Sequence, residues 1–223
     1  MRSYLRAALC ALFAAVLCGL VSQANAGDDK GFTDLFNKKD LTGWKVNIFG
    51  KDDGKTFIVA EDYILVSGKP NGYFYTEKSY KNYVLKFDWR YKRPEKLEDE
   101  KKFGGNSGLL VHIQSHGKSW PNCLEVQGAN GSHASFIPIK GGKDGVDVGM
   151  KDNKFDGATL AKVRNKVGEW NTTEMTIKNG EVSVKVNGTP ISSCKIALVE
   201  GAFGFQSEGA ELHFKNIKIK VLE

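Results

Sequence analysis

Apolar residues along this chain recur mostly at every second position, in short runs closed by Gly, Asn or Asp. That period suits a half-buried β-strand, whose successive side chains point to opposite faces. The clearest runs are Phe57–Val59, Tyr63–Val66, Tyr83–Tyr91, Gly108–Gln114, Leu124–Gln127, Glu174–Lys178, Val182–Val186, Ala202–Ser207 and Glu211–Val221. Asn179-Gly180 is a hairpin signal between two of these runs, and Asn187-Gly188 marks another turn. In the last run Leu212 and Phe214 share one parity while Ile217, Ile219 and Val221 share the other. A β-bulge near Lys215-Asn216 would bring both sets to the core. No stretch after Ala26 sustains a helical period, and only Leu160 to Val167 predicts a turn or two of helix. The pattern predicts an all-β sandwich or barrel of antiparallel sheets.

The chain has 223 residues, 41% hydrophobic and 26% charged, which suits a compact domain and excludes disordered or fibrous classes. Its first residues are of another kind. Arg2 and Arg6 precede an unbroken apolar or small run from Ala7 to Val21, and Ala24-Asn25-Ala26 offers small side chains to a signal peptidase. The run is shorter than the roughly 20 residues a bilayer-spanning helix needs. The segment 1–26 therefore predicts a cleaved export signal, and residues 27–223 a single domain, periplasmic or secreted. Loss of Arg2 and Arg6 lowers the formal net charge of +6 by two. Such a mild excess, spread along the chain, argues against a nucleic-acid partner. Cys10 and Cys18 leave with the signal. Cys123 and Cys194 then form either a disulfide, open to them in an oxidising compartment, or two buried thiols. Neither sits in a metal or nucleophile motif.

Two insertions interrupt the strands. Lys92–Lys102 is dense in both charge signs and reads as a solvated loop. Ala129–Gly168 is long, rich in Gly and Lys, and follows a polar strand, so it is expected to line a binding site. Alternation then sorts the strand faces. Leu85, Phe87 and Trp89 go inward and leave Lys86, Asp88 and Arg90 on the other face. Leu109, Val111 and Ile113 go inward and leave Leu110, His112 and Gln114. Glu125 and Gln127 lie opposite Leu124 and Val126, and Gln206 lies opposite Phe203 and Phe205. If these strands are neighbours, Asp88, Arg90, His112, Gln114, Glu125, Gln127 and Gln206 share one outer face. A polar sheet face is by itself only a solvated one. This one is rich in planar amide, carboxylate and guanidinium groups, which pair with the vicinal hydroxyls of a sugar. Trp120 offers a platform for a sugar ring or a core side chain. His116, His133 and His213 read as ordinary surface or core histidines. His112, Glu125 and Asp88 could gather a metal, but no ligand spacing demands one, and no cofactor is expected.

Six ordered blocks resemble the motifs of a known family: FTDLFNKKDLTGWK, GYFYTEKSYKNYVLKFDWRY, GGNSGLLVHI, CLEVQG, GEWNTTEMTIKNGEVSVKVNG and GAFGFQSEGAELHFKNIKI. They are similar to the 3-keto-disaccharide hydrolase family, also described as 3-keto-glucoside lyase/hydratase, over Phe32 to Val221. The resemblance implies a concanavalin-A-like jelly-roll β-sandwich of two antiparallel sheets, usually exported, acting on oxidised glycosides. By position, Asn106, Glu125, Gln127 and Gln206 keep the family pattern. His112 stands where the family commonly shows Arg, Asn130 where Asp often follows, and Glu208 where a His often follows the Gln.

The residues also favour that chemistry over ordinary glycosidase action. Glu125-Val126-Gln127-Gly128-Ala129 carries one carboxylate where glucanases of this fold place two on one strand face, and direct cleavage needs a pair at defined separation. Only Asp88 or a loop Asp would supply the partner. A 3-keto sugar needs less, because its ketone acidifies the proton on C2 and one base can start a β-elimination. Glu125 or His112 is the expected base. Arg90, Gln127 and Asn106 are expected to stabilise the enolate or orient hydroxyls. Asp88, Gln114, Trp120 and Gln206 are expected to contact a carbohydrate substrate. Two plainer roles stay open: Asn106 shaping its Gly-rich turn, and Arg90 pairing with Asp88. The competing reading of the whole is a non-catalytic carbohydrate-binding module.

Overall fold

A computed structural model of the chain describes residues 29–223 apart from positions 52 and 118. The segment read as an export signal lies outside the described residues. Gly31–Glu223 forms one compact unit. No helix among the described residues is long and apolar enough to cross a membrane.

The first third of the fold contains β1 (Thr33–Asp34), β2 (Trp44–Ile48), β3 (Phe57–Ala60), β4 (Tyr63–Val66) and β5 (Gly72–Thr76). There follow β6 (Tyr83–Tyr91), β7 (Gly108–Ile113), β8 (Cys123–Gln127), β9 (Phe136–Ile139) and β10 (Lys151–Phe155). A short helix α1 (Gly157–Val163) precedes β11 (Asn171–Lys178), β12 (Glu181–Val186), β13 (Thr189–Lys195), β14 (Ala202–Ser207) and β15 (Leu212–Val221). They make two antiparallel sheets. The back sheet runs β10-β13-β12-β11-β6-β15-β4-β3 with β1 on β15, and the front sheet runs β2-β5-β14-β7-β8-β9. This is the concanavalin-A-like jelly-roll sandwich.

The core lies between the sheets because each strand turns its apolar parity inward. β6 alternates buried and half-buried residues along its whole length. From the two sheets Phe74, Phe87, Phe205 and Phe214 interlock, with Phe74 and Phe205 stacked at 5.2 Å and Phe87 edge-on to Phe205 at 4.9 Å. Such tilted and offset pairs contribute beyond the apolar area they bury. His133 is a core residue. It stacks on Trp89 at 4.1 Å, its Nε2 meets Thr173 Oγ1 at 2.8 Å, and burial drives its imidazole down to about 3, so it is neutral.

Local signals in the sequence have visible counterparts. Asn179 and Gly180 take φ of 51° and 79°, as the two-residue hairpin turn requires. The pairing of β15 with β6 slips between Lys215 and Lys218, with Asn216 at φ 50°, and Ile217 and Ile219 thereby join Leu212 and Phe214 in the core. The long insertion is more ordered than its composition suggests: it holds β9, β10 and α1. The helix starts before the expected Leu160 because Asp156 caps it, accepting from Thr159 N at 2.9 Å. Cys123 lies in the front sheet and Cys194 in the back sheet. Both are free and buried, so the disulfide alternative is not realised.

Candidate functional site

Three central strands of the front sheet gather polar side chains on its outer face. Gly204 pairs with Leu110, and Leu110 pairs with Glu125. Gly108 pairs with Gln127. Continuing the register from Phe205 opposite Leu109 places Gln206 across from Gly108, and Glu208 is bridged to Asn106. The two-residue period puts all of these on one face. Gly108 is therefore the centre of a lattice whose surrounding positions are Glu125, Gln127, Gln206, Glu208, Asn106 and Leu110. It carries no side chain of its own. A Cβ added there would lie 2.6 Å from Glu125 Oε1 and 2.7 Å from Gln206 Oε1, so the carboxylate and the amide lean over this residue.

The polar groups of this cluster are buried and incompletely paired. Glu125 is only 5% exposed. Burial first, and then the charge of Glu208, push its carboxyl up to about 7, against a hydrogen bond from Gln206. Glu208 is half-buried and its carboxyl is also raised, by burial. Gln206 is 1% exposed. Its Oε1 and the Oδ1 of Asn106 are buried without a partner among the described residues. A buried acceptor left unpaired costs about 1–3 kcal/mol, so these oxygens are sites where a ligand hydroxyl gains a bond at no cost of displacement. Gln127 turns its Oε1 to Ala129 N at 2.7 Å, which fixes the amide and leaves its N–H groups for other acceptors.

Toward β5 the same face becomes aromatic. Tyr75 pairs with Gly204 across the strand boundary and stacks on His116 at 4.2 Å. Tyr73 accepts from Asn47 Nδ2 at 2.8 Å and meets His116 Nδ1 at 3.0 Å. Leu110, Ile113, Cys123 and Ala202 complete an apolar patch with Tyr73. The outer face is thus half apolar, more so than the alternation suggested when it left Leu110 there.

Several residues expected on this face are elsewhere. Asp88 and Arg90 do point away from the core, but β6 pairs with β11 and β15 in the back sheet, so both lie on the opposite side of the sandwich. Asp88 accepts from Thr172 Oγ1 at 2.6 Å and from Asn216 Nδ2 at 2.7 Å. Arg90 donates from Nε to His213 Nδ1 at 3.1 Å, and its guanidinium lies 4.5 Å over Trp170 and 5.6 Å over Tyr63. His112 fails for a different reason. Ile113 pairs with Ala202 and Leu110 with Gly204, so Val111 and His112 together oppose Phe203 alone. The bulge places His112 at φ 53° and reverses the alternation. Its ring faces Tyr83 at 6.0 Å, with Nδ1 3.1 Å from Leu198 O, while Ile113 takes the outward place. Burial holds His112 below the usual imidazole range. A metal set of His112, Glu125 and Asp88 is thereby ruled out by position. Gln114 ties its Nε2 to His112 O and Glu200 O, at 2.7 and 2.8 Å. Trp120 packs on Phe49 at 4.7 Å. Both line a separate depression between residues 114–122 and 141–146. The structure brings together Asn106, Glu125, Gln127 and Gln206, and adds Glu208, which the strand-face argument missed because Ser207 ends the apparent run.

Residues 31–220 match the family model of the 3-keto-alpha-glucoside-1,2-lyase-like domain. The chain belongs to this family. No curated protein matches it. Among solved structures it is similar to a protein from Parabacteroides distasonis assigned as a glycosyl hydrolase, with TM-score 0.60 and 26% identity over 88% of this chain and 96% of that one. A second such protein from the same organism matches with TM-score 0.57 and 20% identity, over 86% and 99% of the two chains. The carbohydrate-binding module CBM66 of Bacillus subtilis shares the fold, with TM-score 0.55 and 10% identity over 80% and 95%. Family membership and these neighbours support a carbohydrate-active role.

Two of the three departures from the family pattern lie away from the polar cluster of this lyase-like domain. His112 is turned inward by its bulge. Asn130 ties loops together, accepting from Arg164 and donating to Glu100 O at 3.2 Å. Glu208 alone borders that cluster.

Proposed function

We propose that this protein is an exported enzyme that cleaves 3-keto-glycosides by β-elimination, with Glu125 as the base. The observation that carries the reading is the buried carboxyl of Glu125 set beside the unpaired amide oxygens of Gln206 and Asn106, and held at about 7 by its surroundings. A carboxylate of that basicity is ionised in useful amounts near neutrality and accepts a proton more readily than an ordinary surface glutamate. In a 3-keto sugar the C2 proton is α to the ketone. Glu125 removes it, the electrons form the C1–C2 double bond, and the C1–O bond to the aglycone breaks. Water adding to the unsaturated product gives net hydrolysis.

With Arg90 on the other sheet, its guanidinium is not available to the enolate. The N–H groups of Asn106 and Gln127 belong to the same cluster and are the donors that remain for the developing oxyanion. The unpaired oxygens of Gln206 and Asn106 accept substrate hydroxyls. The test is turnover: mature protein is incubated with 3-keto-trehalose and sugar release is followed. Release by the wild type and its loss in Glu125→Gln support the reading. Tight binding with no turnover under any condition would instead make this a carbohydrate-binding module.

A further inference from the structure

The long insertion, expected to line a binding site, folds back on itself. Arg164, near its end, donates from Nη1 to both the backbone oxygen and the Oδ1 of Asn130, near its start. We infer that Arg164 is a positioning residue for the candidate site, acting through Asn130 to hold Asn106 in place; the inference rests on the elimination reading above, in which Asn106 is a donor to the developing oxyanion. Three sets of contacts carry it. The first fixes the arginine. Arg164 closes α1, its backbone N–H donating to Leu160 O at 3.0 Å. The helix is tied to the back sheet at both ends, by Asp156 N to Ile191 O of β13 at 2.9 Å and by Asn187 Nδ2 of the β12–β13 turn to Val163 O at 2.8 Å. The second set fixes Asn130, which is 5% exposed. With its Oδ1 taken up by Arg164, its Nδ2 turns to Glu100 O at 3.2 Å, and an amide engaged at both oxygen and nitrogen has one orientation. The third set reaches the site. Asn130 N donates to Gly105 O at 3.0 Å, and Gly128 N to Ser107 O at 2.7 Å. Asn106 lies between those two anchored carbonyls, so the backbone on either side of it is pinned to the segment that also carries Gln127.

The local sequence makes these ties necessary. Gly104 and Gly105 precede Asn106 and restrict the backbone little by themselves, so the conformation there depends on what grips it from outside. Arg164 supplies that grip with a nitrogen that carries two hydrogens, one for each oxygen of Asn130. Without it, both oxygens become buried acceptors lacking a donor, and such groups draw in water or turn toward it. Asn130 then loses its fixed orientation, and its hold on Gly105 slackens. The consequence for the reaction is one of geometry, not of charge. A displacement of about 1 Å at a group that meets the transition state can cost about 10²-fold in rate, even when its cause lies far from the chemistry. The insertion therefore braces the site from behind, and Arg164 takes no part in moving a proton.

The experiment is a double-mutant cycle read on kcat/KM for 3-keto-trehalose, with Arg164→Ala, Asn106→Ala and the double variant. Asn106→Ala is expected to cost about 10²- to 10³-fold, as for a lost oxyanion donor. Arg164→Ala is expected to cost about 10- to 100-fold in the wild-type background and less than about twofold once the Asn106 amide is gone. A purely structural arginine would lower the melting temperature and slow both backgrounds alike. Equal slowing of the two backgrounds, or no slowing of either, would overturn the inference. Should the alanine variant not fold, Arg164→Lys, which keeps the charge but not the planar fork, enters the same cycle with a smaller loss in the same pattern. Failure of the elimination reading looks different, since the wild type itself then releases no sugar. The four proteins are in that case compared by calorimetric Kd for 3-keto-trehalose. A loss of affinity on Arg164→Ala that vanishes in the Asn106→Ala background supports the tie, and an additive loss overturns it. A wild type that neither cleaves nor binds the sugar overturns both readings.

Discussion

Replacing Glu125 with Gln should change how stability depends on pH, before any substrate is considered. In the folded protein this carboxyl stands at about 7, against 4.5 for the free side chain. Between those two values the folded state holds a proton that the unfolded chain has released, so raising the pH through the window erodes stability. Below pH 4.5 both states are protonated and the group contributes nothing; above pH 7 both are ionised and the full penalty applies. At about 1.4 kcal/mol per unit, the shift amounts to about 3 kcal/mol. Little of it is lost to solvent screening, because Glu125 is 5% exposed. The variant has no such penalty. Its stability relative to wild type should therefore rise by about 3 kcal/mol between pH 4.5 and pH 8, or roughly 6–12 °C in melting temperature for a domain of this size. Paired thermal or urea melts at half-unit pH intervals measure the difference, and titrations common to both proteins cancel. A stability difference that stays flat from pH 4 to 8 would refute the claim that burial and Glu208 hold this carboxyl high.

Gly108→Ala should abolish substrate binding while leaving the fold largely intact. The added methyl meets the movable ends of Glu125 and Gln206 at 2.6 and 2.7 Å, so calorimetry should show lost affinity beside a small change in melting temperature. Gly204→Ala is the contrasting case, because its methyl would meet the backbone oxygen of Phe74 at 2.4 Å and should cost stability outright. Arg90→Ala should leave kcat/KM unchanged, since Arg90 lies on the back sheet, yet lower stability by about 0.5–2 kcal/mol through its lost contacts over Trp170 and Tyr63. Reducing agent should not shift the melting temperature, because Cys123 and Cys194 are free, and both thiols should react with a thiol reagent only on unfolding.

The fold was largely legible because strand parity is a local property. Tyr83–Tyr91, Ala202–Ser207 and the bulge at Asn216 could each be read from residues a few positions apart. What stayed hidden was decided by non-local pairing or by departures from parity. β5, GYFYT, shows no alternation to read because four of its five residues, Gly72, Tyr73, Phe74 and Thr76, are buried irrespective of face. β10 is a fully exposed edge strand, KDNKF, with no apolar alternation to detect. The site was legible in part. Alternation placed Glu125, Gln127 and Gln206 outward correctly, and the family pattern added Asn106. It could not say that β6 joins the other sheet, so Asp88 and Arg90 were grouped with partners they never meet. A single residue at positive φ reversed His112, and nothing in VHIQ announces it beyond the tolerance of histidine for that conformation. Glu208 and the place of Gly108 emerge only from register: one is a charged residue past a strand end, the other a glycine whose value lies in what surrounds it.

The most direct test of the account is hydrogen exchange at C2. In deuterium oxide, a 3-keto-glycoside recovered after partial turnover by the wild type, or its sugar product, should carry solvent deuterium at C2, and the Glu125→Gln variant should introduce none. Cleavage that leaves the C2 hydrogen untouched would contradict proton abstraction by Glu125 and point to direct displacement at C1.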